Sequence, residues 1–301
     1  MQNRGHLLTE QRNPRSMNID RMSIAEGFDA INAEDASIAA AVAAAKPAIV
    51  AAIELVVAAL RAGGRLIYLG AGTSGRLGVV DASECPPTFL TPPEMVQGII
   101  AGGREAMFRS IEGAEDSEEA GAAVDERNVG PNDVVFGIAT GGTTPYVHGA
   151  IACAKRRGAK TVFFACVPGD QCQDRADVSI RVLTGPESIT GSTRMKAGTA
   201  TKLVLNMVTT LAMVQIGKVY ENLMVDVNAY ANRKLVDRGG RMIALVTGVS
   251  RKQGIELLHA ANGRVKTAIV MHLRQVSRDV AESLLEQHGG RVRAVIEASQ
   301  A

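Results

Sequence analysis

Leu66-Ile67-Tyr68-Leu69-Gly70-Ala71-Gly72-Thr73-Ser74-Gly75-Arg76 sets the reading of the whole chain. An unbroken apolar run ends in glycines and hydroxyls, and a helical pattern follows. Strict alternation of apolar and polar residues marks a strand with one wet face, whereas a continuous run marks a strand covered on both. Strand-like runs recur at Val96 to Ala101, Val134 to Ala139, Thr161 to Cys166 and Val178 to Val182, most of them similarly continuous in apolar character, separated by helical segments. Strands that alternate with helices predict an α/β fold, a parallel sheet sandwiched between helices. Ligands of such sheets bind beyond the carboxyl ends of the strands.

Outward from this centre, residues from Ser23 to about Arg61 read as helices. Ser23 and Glu26 have the spacing of a capping box, and Pro47 suits the first turn of a further helix. Gly63 and Gly64 stop it. After Ser192 the pattern is helical to about Leu235, and Gly239-Gly240 reads as a boundary. Ser250 to Ala260, Val265 to Arg274, Asp279 to Gln287 and Arg291 to Ala298 then read as four short helices. The expected organisation is an N-terminal helical segment over 1–55, the sheet domain over 56–238 and a small C-terminal helical domain over 239–301.

Composition removes several classes of function. The 301 residues carry 33 basic and 31 acidic side chains, so no global field recruits nucleic acid or an anionic membrane. Aromatics make up 3% with no tryptophan, which leaves no stacking platform for single-stranded nucleic acid. The Ala-rich run from Ile38 to Leu60 is interrupted by Lys46, Pro47 and Glu54, so a packed pair of helices is expected rather than a membrane span. The start Gln2-Asn3-Arg4 lacks the apolar core of a secretion signal, and a cytoplasmic location is expected. Cys85, Cys153, Cys166 and Cys172, with the five scattered histidines, show no metal-ligand spacing, so no metal is assigned.

Three loops carry the chemistry. In the first, Gly72, Thr73 and Ser74 let backbone N–H groups and hydroxyls approach an oxyanion at a helix N-terminus. Gly70, Gly72 and Gly75 also fit the dinucleotide pattern GxGxxG, but the second strand runs into Gly102-Gly103 before any acidic residue that would hold a ribose. The hydroxyls favour a phosphomonoester. The second loop, Thr140-Gly141-Gly142-Thr143, repeats this solution after another strand, with Pro145 opening the next helix. The third, Gly185-Pro186-Glu187-Ser188-Ile189-Thr190-Gly191-Ser192-Thr193-Arg194-Met195-Lys196, concentrates hydroxyls and cations before a long helix. A helix cap alone needs one such hydroxyl.

The paired loops resemble the sugar isomerase domain of phosphosugar isomerases and regulators. The run from Gly185 to Lys202 is similar to the motif shared by N-acetylmuramic acid 6-phosphate etherases and glucokinase regulatory proteins, and Leu8 to Pro14 and Asp81 to Phe89 are etherase-like too. The resemblance implies that Ser74, Thr140 and Thr143 hold a sugar phosphate, with Ser188, Ser192, Thr193 and Lys196 nearby and Glu187 in the same loop. Glu84 matches the family's catalytic acid and Glu115 its second essential carboxylate. On its own residues Glu115 would be a solvated helix face, since Glu112, Asp116, Glu118 and Glu119 surround it. Glu84, beside Pro86 and Pro87, reads as lying in a short, rigid turn.

The implied reaction is removal of a D-lactyl ether by elimination and hydration, which needs two carboxyl groups and no cofactor. The resemblance further implies a small-molecule sugar phosphate as partner and a homodimer. Two other readings use the same loops: an aldose-ketose isomerase, and a sensor that binds a sugar phosphate without turnover.

Overall fold

The computed structural model describes residues 4–117, 121–227, 229 and 233–298. Five strands form where the apolar runs predict them: β1 (Leu66–Gly70), β2 (Val96–Ile100), β3 (Val134–Ile138), β4 (Lys160–Ala165) and β5 (Val178–Arg181). All are parallel, in the order β2-β1-β3-β4-β5. Every residue of β1 and β3 is buried, which accounts for their unbroken apolar sequences.

The strand order positions the site. From β1 the chain moves outward to β2, then returns past β1 to lay β3 on its other side. Connections therefore leave β1 and β3 in opposite directions, the switch point at which open α/β sheets form a ligand crevice. Gly70 is level with Ile138 in the register, so the turns after β1 and β3 begin side by side.

Helices cover both faces. α4 (Gly72–Phe89) packs so tightly that a Cβ at its Gly78 would lie 2.9 Å from Tyr68 Cβ. α6 (Pro145–Arg156) approaches Gly137, where an added Cβ would lie 2.6 Å from Val147 Cγ1. Gly137 is level with Leu69, the neighbour of Tyr68, and successive strand residues face opposite sides. α4 and α6 therefore lie on opposite faces. The Ser23–Glu26 capping box opens α1 (Ile24–Asp35). The Ala-rich region folds as α2 (Ile38–Ala44) and α3 (Lys46–Arg61), and Pro47 sits in the first turn of α3. α3 buries Ile49, Ile53, Val56 and Leu60 and packs on β1, β3 and β5. A short helix, α5 (Gly121–Glu126), precedes β3. Among the described residues, α7 (Lys196–Gln215) is the one helix that by itself has the length and apolarity to cross a membrane, and 56% of its most apolar window is buried in the fold.

The chain divides into two compact units, one reaching Ser83 and resuming from Glu94 to Thr209, the other formed by Glu84–Pro93 and the chain from Thr210 onward. In the second, the helical stretch expected to reach Leu235 ends at Gln215. Gly217 takes φ +83, its N–H donates to Val214 O and that of Lys218 to Met213 O, closing the helix with a left-handed cap. Gly239-Gly240 is no boundary, because both lie buried inside α8 (Arg233–Thr247). Their smallness lets α9 (Arg251–Ala260) approach: a Cβ on Gly240 would sit 2.5 Å from Ile255 Cγ1, and one on Gly254 2.3 Å from Gly240 O. α10 (Val265–Arg274), α11 (Arg278–Gln287) and α12 (Val292–Glu297) follow close to the expected positions. Ile243, Leu258, Val265, Ile269, Leu285 and Val295 build a core for this unit.

Gly254→Ala is therefore expected to destabilise the protein by about 2–3 kcal/mol, because backbone rather than a pliable side chain must move. Gly27→Ala, in α1 with open space around the added methyl, is expected to stabilise by about 0.5–1 kcal/mol. Denaturant unfolding of both variants checks the pair of signs.

Candidate active site

The first loop is a turn that only glycine fits. A Cβ on Gly75 would lie 2.5 Å from Gly70 O, and Gly72 takes φ +52. Helix α4 starts at Gly72, so Thr73 and Ser74 fall in its first turn, where N–H groups lack intrahelical partners and favour an anion. Ser74 is buried and Thr73 half-buried.

The second loop leaves β3, the neighbouring strand, at the same level. Thr140 is buried, Gly141 and Thr143 are half-buried, and Gly142 is buried with φ +83. The Gly142 N–H closes the turn on Ala139 O at 2.7 Å, and Cys166 N–H donates to Thr140 O at 2.8 Å. Thr144 then precedes Pro145 at the start of α6.

The third loop is organised from beneath by charge. Glu187 is fully buried, and its carboxylate accepts N–H bonds from Lys196 at 2.9 Å and Ala197 at 3.0 Å, capping α7. Burial pushes its pKa up, against the N–H bonds and the Lys196 charge. The Lys196 ammonium, also buried, pairs with Glu34 of α1, which Arg15 reaches from the other side at 3.0 Å. Burial alone would raise the Glu34 pKa, but hydrogen bonds from Lys196 and Asn13, with the charges of Lys196 and Arg15, bring it below the ordinary 4.5. Both ionisable groups expected at the ligand are thus engaged inside the fold. Sequence reading did not select Glu34, and only the requirement that a buried lysine find a carboxylate points to it.

The N-terminal segment stitches these loops together. Asn13 Nδ2 donates to Pro186 O at 3.2 Å, Ser16 Oγ to Ser188 O at 2.7 Å, and Leu8 N–H to Gln171 Oε1 at 2.8 Å. The Ser188 hydroxyl is buried and has no hydrogen-bond partner among the described residues. Ser192 and Thr193 remain half-buried. A Cβ at Gly198 would lie 3.6 Å from Thr73 Cγ2, so the start of α7 abuts the first loop.

A cavity of about 330 Å³ opens at the first loop, lined by Ala71, Gly72 and Arg76 on one side and by Ser110 through Glu115 on the other. Glu115 is exposed and lies in a turn rather than on a helix face. Arg76 holds this segment through its main chain, donating to Met107 O at 3.2 Å and Arg109 O at 3.1 Å. From the other end, Tyr146 N–H donates to Glu115 O at 3.1 Å. Glu118 and Glu119, read with Glu115 as one acidic run, lie outside the described residues.

Glu84 is exposed within α4, not in a turn as the prolines implied, and belongs to the second unit. Pro86 and Pro87 fall in the last turn of that helix, which stops before Leu90 at φ 50. Among the described residues no group of three or more His, Cys, Asp and Glu side chains is placed to hold a metal ion.

A family model described as the glucokinase regulatory protein N-terminal SIS domain matches residues 48–155, and one described as the SIS domain matches residues 107–211. An N-acetylmuramic acid 6-phosphate etherase of a Synechocystis species is 53% identical over 300 residues, covering 99% of this chain and 98% of that protein. The chain belongs to the N-acetylmuramic acid 6-phosphate etherase family. Another such etherase, from Nostoc punctiforme, is 54% identical over 301 residues, with 100% of this chain and 97% of that protein covered.

Lys196→Met leaves the buried Glu34 carboxylate with only the Asn13 hydrogen bond and the exposed Arg15, and is expected to cost about 3 kcal/mol, most of it recovered by adding Glu34→Gln. Because the folded pKa of Glu34 lies below 4.5, its contribution is complete above that pH and fades as the pH falls through the folded value. The stability gap between wild type and Glu34→Gln should therefore shrink below pH 4.5, as acid-dependent denaturant unfolding would show.

Proposed function

We propose that this chain cleaves the D-lactyl ether of N-acetylmuramic acid 6-phosphate, yielding N-acetylglucosamine 6-phosphate and D-lactate in the recovery of cell-wall amino sugars. The observation that carries the residue assignment is the shared cavity: Glu115 and the glycine turn of the first loop line the same space. A phosphate on the first turn of α4 leaves its sugar beside the Glu115 segment, whose backbone carbonyls accept from the Arg76 guanidinium and the Tyr146 N–H.

In this reading Gly72, Thr73, Ser74, Thr140, Gly141, Gly142 and Thr143 hold the phosphorylated sugar, with Ser188, Ser192 and Thr193 alongside. The buried Ser188 hydroxyl, without a hydrogen-bond partner among the described residues, supports a polar ligand there, because most buried hydroxyls in folded proteins are satisfied. Glu187 and Lys196 act one layer back, fixing the path of the third loop.

An alkoxide is a poor leaving group, so the reaction begins by opening the ring to a C1 aldehyde that acidifies the C2 proton. Glu115 takes that proton or assists ring opening. The C2–C3 double bond forms as the C3–O bond breaks, its electron pair leaves with the lactyl oxygen, and Glu84 in its carboxylic acid form supplies the proton. Now a carboxylate, Glu84 takes a proton from water as the oxygen adds to C3, and C2 regains a proton. Atoms and charge balance without metal or redox chemistry. The assignment of Glu84 rests on its match to the family motif. We place the enzyme in the cytoplasm as a homodimer, with loops of both copies completing each site.

Release of D-lactate from N-acetylmuramic acid 6-phosphate is the test. Glu84→Gln and Glu115→Gln are each expected to lower turnover by about a hundredfold or more while substrate binding persists. In heavy-oxygen water the label should appear at C3 of the sugar. Label in lactate would rule out elimination, hexose phosphate interconversion without lactate would make the protein an isomerase, and binding without turnover would make it a sensor.

A further inference from the structure

His148 and Cys172 belong to none of the roles above, yet both converge on one backbone atom of the second loop. His148 Nε2 lies 2.7 Å from Gly142 O, and Cys172 Sγ lies 2.8 Å from the same oxygen. A carbonyl only accepts, so His148 carries its proton on Nε2 and Cys172 is the thiol. Burial pushes the Cys172 pKa up, which keeps that proton in place. The His148 ring rests at 5.1 Å from the Phe163 ring, a residue fully buried in β4. The carbonyl is therefore gripped by two donors anchored to different parts of the core.

A gripped carbonyl fixes more than itself. The chain has no cis peptide bond among its described residues, and in a trans peptide the N–H of the next residue points opposite to the carbonyl. With Gly142 C=O turned onto His148 and Cys172, the Thr143 N–H points away from them. That N–H has no acceptor among the described residues, although it lies in a tight turn at the sheet's switch point. Rotation of the peptide is blocked on the inner side as well. A Cβ at Gly142 would come within 2.8 Å of Val167 Cγ2 and 2.9 Å of Cys172 Cβ, so the backbone is pressed against that wall.

We infer that His148, assisted by Cys172, is a positioning residue that clamps the Gly142 carbonyl and so aims the Thr143 N–H at the phosphate of the substrate. The inference rests on the reading of this turn as a phosphate loop and adds to it a residue that touches no ligand. An N–H held in place costs no reorganisation when the anion arrives, and a charge-assisted bond of this kind is about twice as strong as a neutral one. Its loss should appear in phosphate affinity rather than in the chemical step.

The full-length protein carrying His148→Phe keeps a ring against Phe163 and loses the donor; His148→Gln restores an N–H. Calorimetry with inorganic phosphate, N-acetylglucosamine 6-phosphate and unphosphorylated N-acetylglucosamine gives the affinities, and lactate release gives KM and kcat. For His148→Phe, Kd for both phosphate compounds and KM should each rise about tenfold, with kcat within about twofold of wild type and affinity for the unphosphorylated sugar unchanged. His148→Gln should recover most of the loss, and adding Cys172→Ala to His148→Phe should deepen it. A drop in kcat at unchanged KM, or equal weakening of phosphorylated and unphosphorylated sugars, would overturn the clamp. If wild type releases no lactate but His148→Phe still loses phosphate affinity, the proposed reaction fails and the clamp stands. If wild type reacts while His148→Phe binds phosphate normally, the clamp fails alone.

Discussion

Parallel pairing of β1 with both β2 and β3 is the constraint on which the rest of the first unit depends. Because β1 is flanked on each side, the chain must reverse direction across it, and the reversal leaves two turns side by side at Gly70 and Ile138. Each turn is then forced to serve several purposes. It must leave a buried strand, pass its backbone close to a neighbouring wall and start a helix on one or other face of the sheet. Glycine satisfies the first two demands, and the unpartnered N–H groups of the helix start make the outcome attractive to an anion.

Charge is handled differently on the two sides of these turns. On the open side stand hydroxyls and backbone N–H groups, donors of the kind that suit an anion without carrying a full charge of their own. Beneath them lie the full charges: Lys196 against Glu34, which the exposed Arg15 meets from outside, and Glu187 against the start of α7. Removing ions from water is costly, and a buried pair survives only when each partner is matched. The return on that cost is a fixed path for a loop rich in glycine and serine, which has little apolar surface with which to anchor itself.

Much of this was legible in the sequence because it follows from local rules. Buried parallel strands have to be apolar on both faces, and β1, β3 and β4 were visible for that reason, while the partly buried β2 and β5 were visible as shorter apolar runs between helical segments. The two glycine-hydroxyl turns were visible because their composition has little other use. The sequence was less informative wherever the same residue serves two physical ends. Gly239-Gly240 breaks a helix or admits a neighbouring one, and only the packing of α9 decides between them. Pro86-Pro87 marks a turn or the last turn of a helix. Lys196 in a polar run looks available to a ligand until its partner is known, and that partner lies 162 residues earlier in the chain. Periodicity and motif spacing cannot convey a contact of that kind. Glu115 was found by resemblance alone, and the cavity it shares with the first loop supplies a reason internal to the molecule.

The support of Glu115 comes almost entirely from main chain. Arg76 grips carbonyls at Met107 and Arg109, and Tyr146 donates to the carbonyl of Glu115 itself, so the path of the segment does not rely on the side chains of Glu112, Asp116 or Ser110. Such a strip is tolerant by construction. Its side chains are at liberty to drift in charge and size while the backbone path stays in place, which makes this rim of the cavity a natural spot for change without rebuilding the sheet beneath.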